Sequence, residues 1–138
     1  MKLTKALAVT AAILCSYAAH AQDNEVALGK SAYGALCAIC HGDDGKGSGD
    51  IAELFKVPPS DLTALAKMAD GQFPFVQVYN VLAEGMQERG HGEAEMPIWG
   101  DYFVSDSLED RGMLPGDAVA IAAGRIMAVT LYLESIQE

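Results

Sequence analysis

Residues 37–49 read Cys37-Ala38-Ile39-Cys40-His41-Gly42-Asp43-Asp44-Gly45-Lys46-Gly47-Ser48-Gly49. Two thiols and an imidazole stand within five residues, and a glycine-rich turn follows at once. Which chemistry such a pattern serves depends on the compartment the chain reaches and on what else completes a site.

The N-terminus bears on the compartment. Lys2 and Lys5 give a basic start, residues 6–19 are almost all apolar, and Ala19-His20-Ala21 ends the run with small residues. This order predicts a secretory signal cleaved after Ala21. The apolar run, about 14 residues, is short of the roughly 20 that a spanning helix needs. Cys15 lies inside it after Leu14, not after a small residue, so it is expected to leave with the signal rather than to carry lipid. No second apolar stretch reads as a membrane span, and the remainder, 22–138, fits one domain with one core.

The acidic balance excludes one class of partner. The chain has 9 basic and 19 acidic residues, and the two lysines of the signal are the only charges before residue 22. The 22–138 segment therefore carries seven basic groups against 19 acids, a net −12. Nucleic acid binding needs basic patches and is not expected. Anionic lipid would repel such a surface, whereas a basic protein partner would meet it in fast, salt-sensitive encounters.

The pattern is helical, punctuated by glycine and proline. Val26, Gly29, Tyr33, Leu36 and Cys37 fall at three- and four-residue steps, which predicts a helix over about 25–38. Gly29 within it suggests a close helix crossing, since glycine there costs about 1 kcal/mol relative to alanine. Val119, Ala122, Ile126, Val129, Leu133 and Ile136 make one apolar stripe, predicting a last helix over about 117–136 that starts at Pro115-Gly116-Asp117, with Tyr132 beside the crossing. Ser60 or Asp61 caps a short helix to about 69, and Phe73-Pro74 opens another to about Leu82, closed by Gly85. Residues 86–98 and 103–116 read as loops.

Four chemistries use a CxxCH. A Cys37–Cys40 disulfide closes a loop of two residues, stabilises little on the loop-entropy account, and leaves His41 without a role. A thioredoxin-like pair needs a preceding strand in a βαβ setting, but the preceding residues are periodic as a helix. A zinc site needs four ligands; Cys37, Cys40, His41 and His91 make four, yet His41 directly after Cys40 is poorly placed to wrap the same ion. Covalent haem uses all three side chains: both thiols fix the porphyrin edge, and the next residue is the proximal iron ligand.

A second iron ligand must come from Met68, Met86, Met96, Met113, Met127 or His91. Met68 and Met127 sit on expected helices, where packing is the default role of methionine. Met86 has no anchor in its glycine-rich loop. Met96 lies in a loop before a stiffening proline, and Met113, before Leu114-Pro115, is its rival.

Further segments follow in order: Gly29-x-x-x-Tyr33, VPPSDLT at 57–63, HGEAEMPIWG at 91–100 and LYLESIQ at 131–137. With CAICHGDDGKGSG they resemble the small single-haem c-type cytochromes of the bacterial periplasm, the class I cytochrome c family, over nearly all of 22–138. Tyr33 stands where that family often has phenylalanine. The resemblance implies an all-α cytochrome c fold, with N- and C-terminal helices crossing and two or three short helices and loops around one covalently bound haem c. It implies Cys37 and Cys40 as the thioether residues and His41 and Met96 as the axial ligands. It points to the carbonyl of Pro58 or Pro59 as the acceptor for the other His41 ring nitrogen. Trp99, and less so Arg89, is a candidate partner of a haem propionate.

The function so implied is a periplasmic one-electron carrier, not an enzyme, that meets redox proteins with basic docking surfaces as a monomer. A dedicated cytochrome subunit of a periplasmic dehydrogenase is the alternative. A haem enzyme or gas sensor would need Met96 to leave the iron. No Ser/His/Asp group or paired carboxylates suggest catalysis by protein side chains.

Overall fold

The longest apolar stripe of the sequence becomes the longest helix, α6 (Pro115–Ser135). The computed structural model describes residues 22–85, 96, 99–111 and 114–138. Pro115 opens α6 at a position where its missing N–H is not needed, and Asp117 in the first turn complements the positive end of the helix dipole. Ala118, Ala122, Ile126, Val129 and Leu133 are buried along one side. Val119, expected on that side, is 57% exposed, and Ala118 takes its place. One residue is about 100° of helix rotation, so a stripe read one step off at its first turn faces solvent there. By length and composition α6 would suffice to cross a membrane, but 44% of that stretch is buried inside the fold. Its apolar side is the core.

Before α6 come α1 (22–36), α2 (Ala38–His41), 3-10 turns at Ala52–Leu54 and Leu62–Ala64, α3 (Leu65–Met68), α4 (Phe75–Glu84) and α5 (Trp99–Arg111). The described residues contain no strand, and the chain is all-α. Asp61 caps the Leu62–Ala64 turn, its carboxylate accepting from Thr63 N–H at 2.9 Å. α4 ends at Gly85, whose amide returns to the Val81 carbonyl.

α1 and α6 cross at Gly29. A methyl group there would collide with the Ala128 carbonyl and the Tyr132 Cβ, so only glycine lets the two backbones approach this closely. One turn on, Tyr33 is 2% exposed and its ring packs on Tyr132, with centroids 5.2 Å apart. Val26, Leu36 and Cys37 pack against the same core, on the face their spacing predicts.

The expected loop at 103–116 is a helix for most of its length. α5 runs to Arg111, and α6 begins four residues later at Pro115. Local propensity hides α5, because WGDYFVSDSLEDR is rich in residues that favour turns and caps. Its helix is held by packing instead. Phe103 and Ser107, four residues apart, are buried toward the core. The Arg125 guanidinium of α6 lies 5.3 Å over the Phe103 ring and pairs with Asp106 at 2.5 Å.

The crossing generates a paired prediction. Gly29→Ala should lower unfolding free energy by about 3 kcal/mol, because backbone rather than a flexible side chain must move. Gly34→Ala, where an added methyl meets nothing within 4 Å, should raise it by about 0.5–1 kcal/mol through helix propensity. Denaturant midpoints of the two variants check both signs.

Candidate functional site

α1 delivers the CxxCH. The Cys37 amide still bonds to the Tyr33 carbonyl at 2.8 Å, and α2 adds one further turn. Residues three apart on a helical turn share a side, so Cys37 and Cys40 present their thiols together. Both are free and partly exposed. Burial, and secondarily the neighbouring Cys40, pushes the Cys37 thiol up to about 11, so it stays protonated at neutral pH.

His41 closes the turn, its amide donating to the Cys37 carbonyl at 2.9 Å. Its Nδ1 lies 3.0 Å from the Ser60 carbonyl oxygen. A carbonyl can only accept, so Nδ1 carries the proton and Nε2 of the neutral ring keeps its lone pair. The ring is therefore held by Nδ1, with Nε2 as its free nitrogen.

The acceptor is Ser60, not Pro58 or Pro59. Pro58 is exposed, and the Pro59 carbonyl is pressed against Gly47, leaving no room there for a side chain. Gly47 also has φ +81°, a conformation that L side chains rarely adopt. The next carbonyl in the chain, that of Ser60, is the one that faces the imidazole.

The glycine-rich loop is tied back to the helical turn. Gly47 N–H donates to the His41 carbonyl at 2.8 Å, and Gly49 N–H to the Cys40 carbonyl at 3.0 Å. The buried Tyr33 hydroxyl donates to the Gly42 carbonyl at 2.6 Å. Burial first, and the Cys37 thiol second, hold that hydroxyl well above the usual tyrosine range. The spacing of α1 identified Tyr33 as a core face; the work of its hydroxyl was missed. The one signal for it was a tyrosine where phenylalanine would pack equally well.

Trp99 opens α5 and meets Tyr102 edge to face and Phe103 at a tilt, with centroids 5.6 and 6.4 Å away. Its indole N–H is buried and finds no acceptor among the described residues, an arrangement that costs about 1–3 kcal/mol if left unmet. Trp99 and Cys37 line one apolar cavity with Leu36, Leu82, Phe103 and Ile126. The fold thus brings together two expected site residues from opposite halves of the chain.

Met96 is partly buried and packs against the core. Met68 and Met127 are 66% and 41% exposed on α3 and α6. Met86, Arg89, His91 and Met113 lie outside the described residues. No group of three or more His, Cys, Asp or Glu side chains among the described residues converges to hold a bare metal ion.

The chain matches the family model "Cytochrome c" over residues 26–111. It is 30% identical to chloroplastic cytochrome c6 of Chlamydomonas reinhardtii over 108 residues, 78% of this chain and 64% of that protein. It thus spans less than two thirds of that relative's length. No solved structure matches.

Tyr33→Phe tests the clamp on the loop. The variant should lose about 1–2 kcal/mol at neutral pH, where the Gly42 carbonyl forfeits its donor. A hydroxyl raised in the folded state contributes fully below the ordinary value of 10.0 and progressively less as pH climbs above it. Stability curves from pH 7 upward should therefore converge, the wild type falling more steeply than the variant beyond about pH 10.

Proposed function

The chain belongs to the cytochrome c family, as a small class I c-type cytochrome that transfers electrons, and from that premise we propose an exported carrier of one haem with His41 and Met96 as axial ligands. The observation that carries the proposal is the turn 37–41: two thiols on one side of the turn, followed by an imidazole whose Nδ1 is already bonded to the Ser60 carbonyl.

The residues present fit a haem. Cys37 and Cys40 would form the thioethers, and His41 offers Nε2. Trp99 lines the cavity shared with Cys37, and its orphaned N–H is a donor that a propionate would satisfy. Met96 is the one described methionine packed against the core rather than exposed, which supports it over Met68 and Met127. When bound, haem supplies a one-electron couple between ferric and ferrous iron.

The protein's part is to hold, orient and tune. The Ser60 carbonyl fixes the His41 ring and raises its basicity, which favours the ferric form. The Met96 thioether, a soft ligand, favours the ferrous form. With His41 and Met96 both holding the iron, no position would remain for a substrate, and the role would be transfer rather than chemistry on a bound molecule.

We place the carrier in the periplasm, on the signal-like order of residues 1–21, and pair it with proteins that present basic surfaces, on the net −12 of residues 22–138. The relative is named as chloroplastic, which names no partner, so donor and acceptor are left to experiment. A native mass well above that of one chain would instead favour a dehydrogenase subunit.

A potentiometric titration with carbon monoxide added at the reduced end is the decisive test. The protein, with the mass of residues 22–138 plus one haem, should show low-spin bands, a single positive step and no carbon monoxide shift. Met96→Ala should lower the potential and admit carbon monoxide. Wild-type binding of carbon monoxide would bring the enzyme or sensor reading forward, whereas an unchanged Met96→Ala would remove Met96 as ligand and bring Met113 forward. With a basic redox partner, the bimolecular rate should fall as salt rises from about 0.01 to 1 M, where the screening length shrinks from about 30 to 3 Å; a flat dependence would refute the basic docking surface.

A further inference from the structure

Three backbone groups of the segment 62–66 end on residues 137 and 138. The Gln137 side-chain amide donates to the Leu62 carbonyl at 2.8 Å and to the Leu133 carbonyl at 2.6 Å. Its oxygen accepts from Ala66 N–H at 2.8 Å. The Glu138 amide donates to the Thr63 carbonyl at 2.9 Å. One side chain thus uses both donors and its acceptor, and it joins the end of α6 to a segment more than 70 positions earlier.

Leu62 is held from both sides. Its amide donates to the Gly45 carbonyl at 2.7 Å, and its carbonyl accepts from Gln137. Two residues before it stands Ser60, whose carbonyl accepts from His41 Nδ1. Between them Asp61 is bound to Thr63, through both the amide at 2.9 Å and the hydroxyl at 2.6 Å. The chain from Ser60 to Thr63 therefore has little freedom to shift unless Gln137 lets go.

Resting on the proposed role of His41 as an iron ligand, we infer that Gln137 is a positioning residue for that ligand. It anchors Leu62, and thereby sets the Ser60 carbonyl against Nδ1. A carbonyl held there makes the ring more basic at Nε2; a loosened one makes it less so and favours the ferrous form.

Gln137→Met keeps the length of the side chain and removes all three bonds. In the reduced, haem-loaded protein, NMR should show the His41 Nδ1 proton exchanging at least about tenfold faster, the equivalent of ~1.4 kcal/mol. The reduction potential should move positive while the low-spin bands remain. Glu138→Pro, which removes the donor to Thr63 and disturbs the Lys46 ion pair, should act in the same direction and more weakly, and it carries the test should the first variant fail to fold. Thr130→Ala removes a buried hydroxyl bonded to the Ile126 carbonyl; it lowers stability elsewhere and should leave the potential at the wild-type value. Unchanged exchange and potential in both tail variants, or an equal shift in Thr130→Ala, would overturn the inference. Carbon monoxide binding by the wild type would instead sink the six-coordinate reading of the iron, and the exchange comparison would still decide the link from Gln137 to His41.

Discussion

The approach of Gly29 to the Ala128 carbonyl is the constraint on which the other contacts depend. It lets α1 and α6 touch backbone to backbone and seats Tyr33 on Tyr132. Every later feature is measured from that contact. Cys37 emerges at the end of α1, one turn beyond Tyr33, so the crossing sets where the thiols stand. α6 continues past it to Gln137, so the same crossing sets where the tail can reach.

From this junction two arms run to His41. One is the Tyr33 hydroxyl, which holds Gly42 and with it the start of the glycine loop. The other passes down α6 to Gln137, then to Leu62 and Ser60. The arms meet at the imidazole from opposite directions in sequence. Neither is a strong interaction taken singly, since a typical hydrogen bond nets only about 1 kcal/mol. Their value is geometric: they fix which ring nitrogen is bonded and which is free.

The sequence was most legible where chemistry or periodicity is dense. The CxxCH turn, the α1 face through Gly29 and Tyr33, and the α6 stripe from Ala122 onward could all be read from residue type and spacing. α5 could not. Its residues favour caps and turns, and its helix depends on Phe103, Ser107 and an ion pair to Arg125, none of which is local. The misplacement of Val119 is the same failure on a smaller scale, because a periodic stripe has no phase until a neighbour sets it. Ser60 was off by one for a different reason. A main-chain acceptor has no side-chain signature, and the contact with Gly47 that occupies the neighbouring Pro59 carbonyl is not local to either residue. The family match ends at residue 111, before α6, whose expectation rested on its apolar stripe and on the LYLESIQ segment at 131–137.

The stitching of residues 62–66 to 137–138 also orders events in time. The Cys37–His41 turn closes through contacts four residues apart, which form quickly. The bond from His41 to Ser60 spans 19 positions, and those from Gln137 span 71 and 75. Contacts so distant in the chain bear a larger loop-closure entropy and form late. The placement of the thiols therefore needs only local contacts, whereas the orientation of the imidazole waits on distant ones. The orientation of His41 thus belongs to the later part of folding, when segments more than 70 positions apart have met.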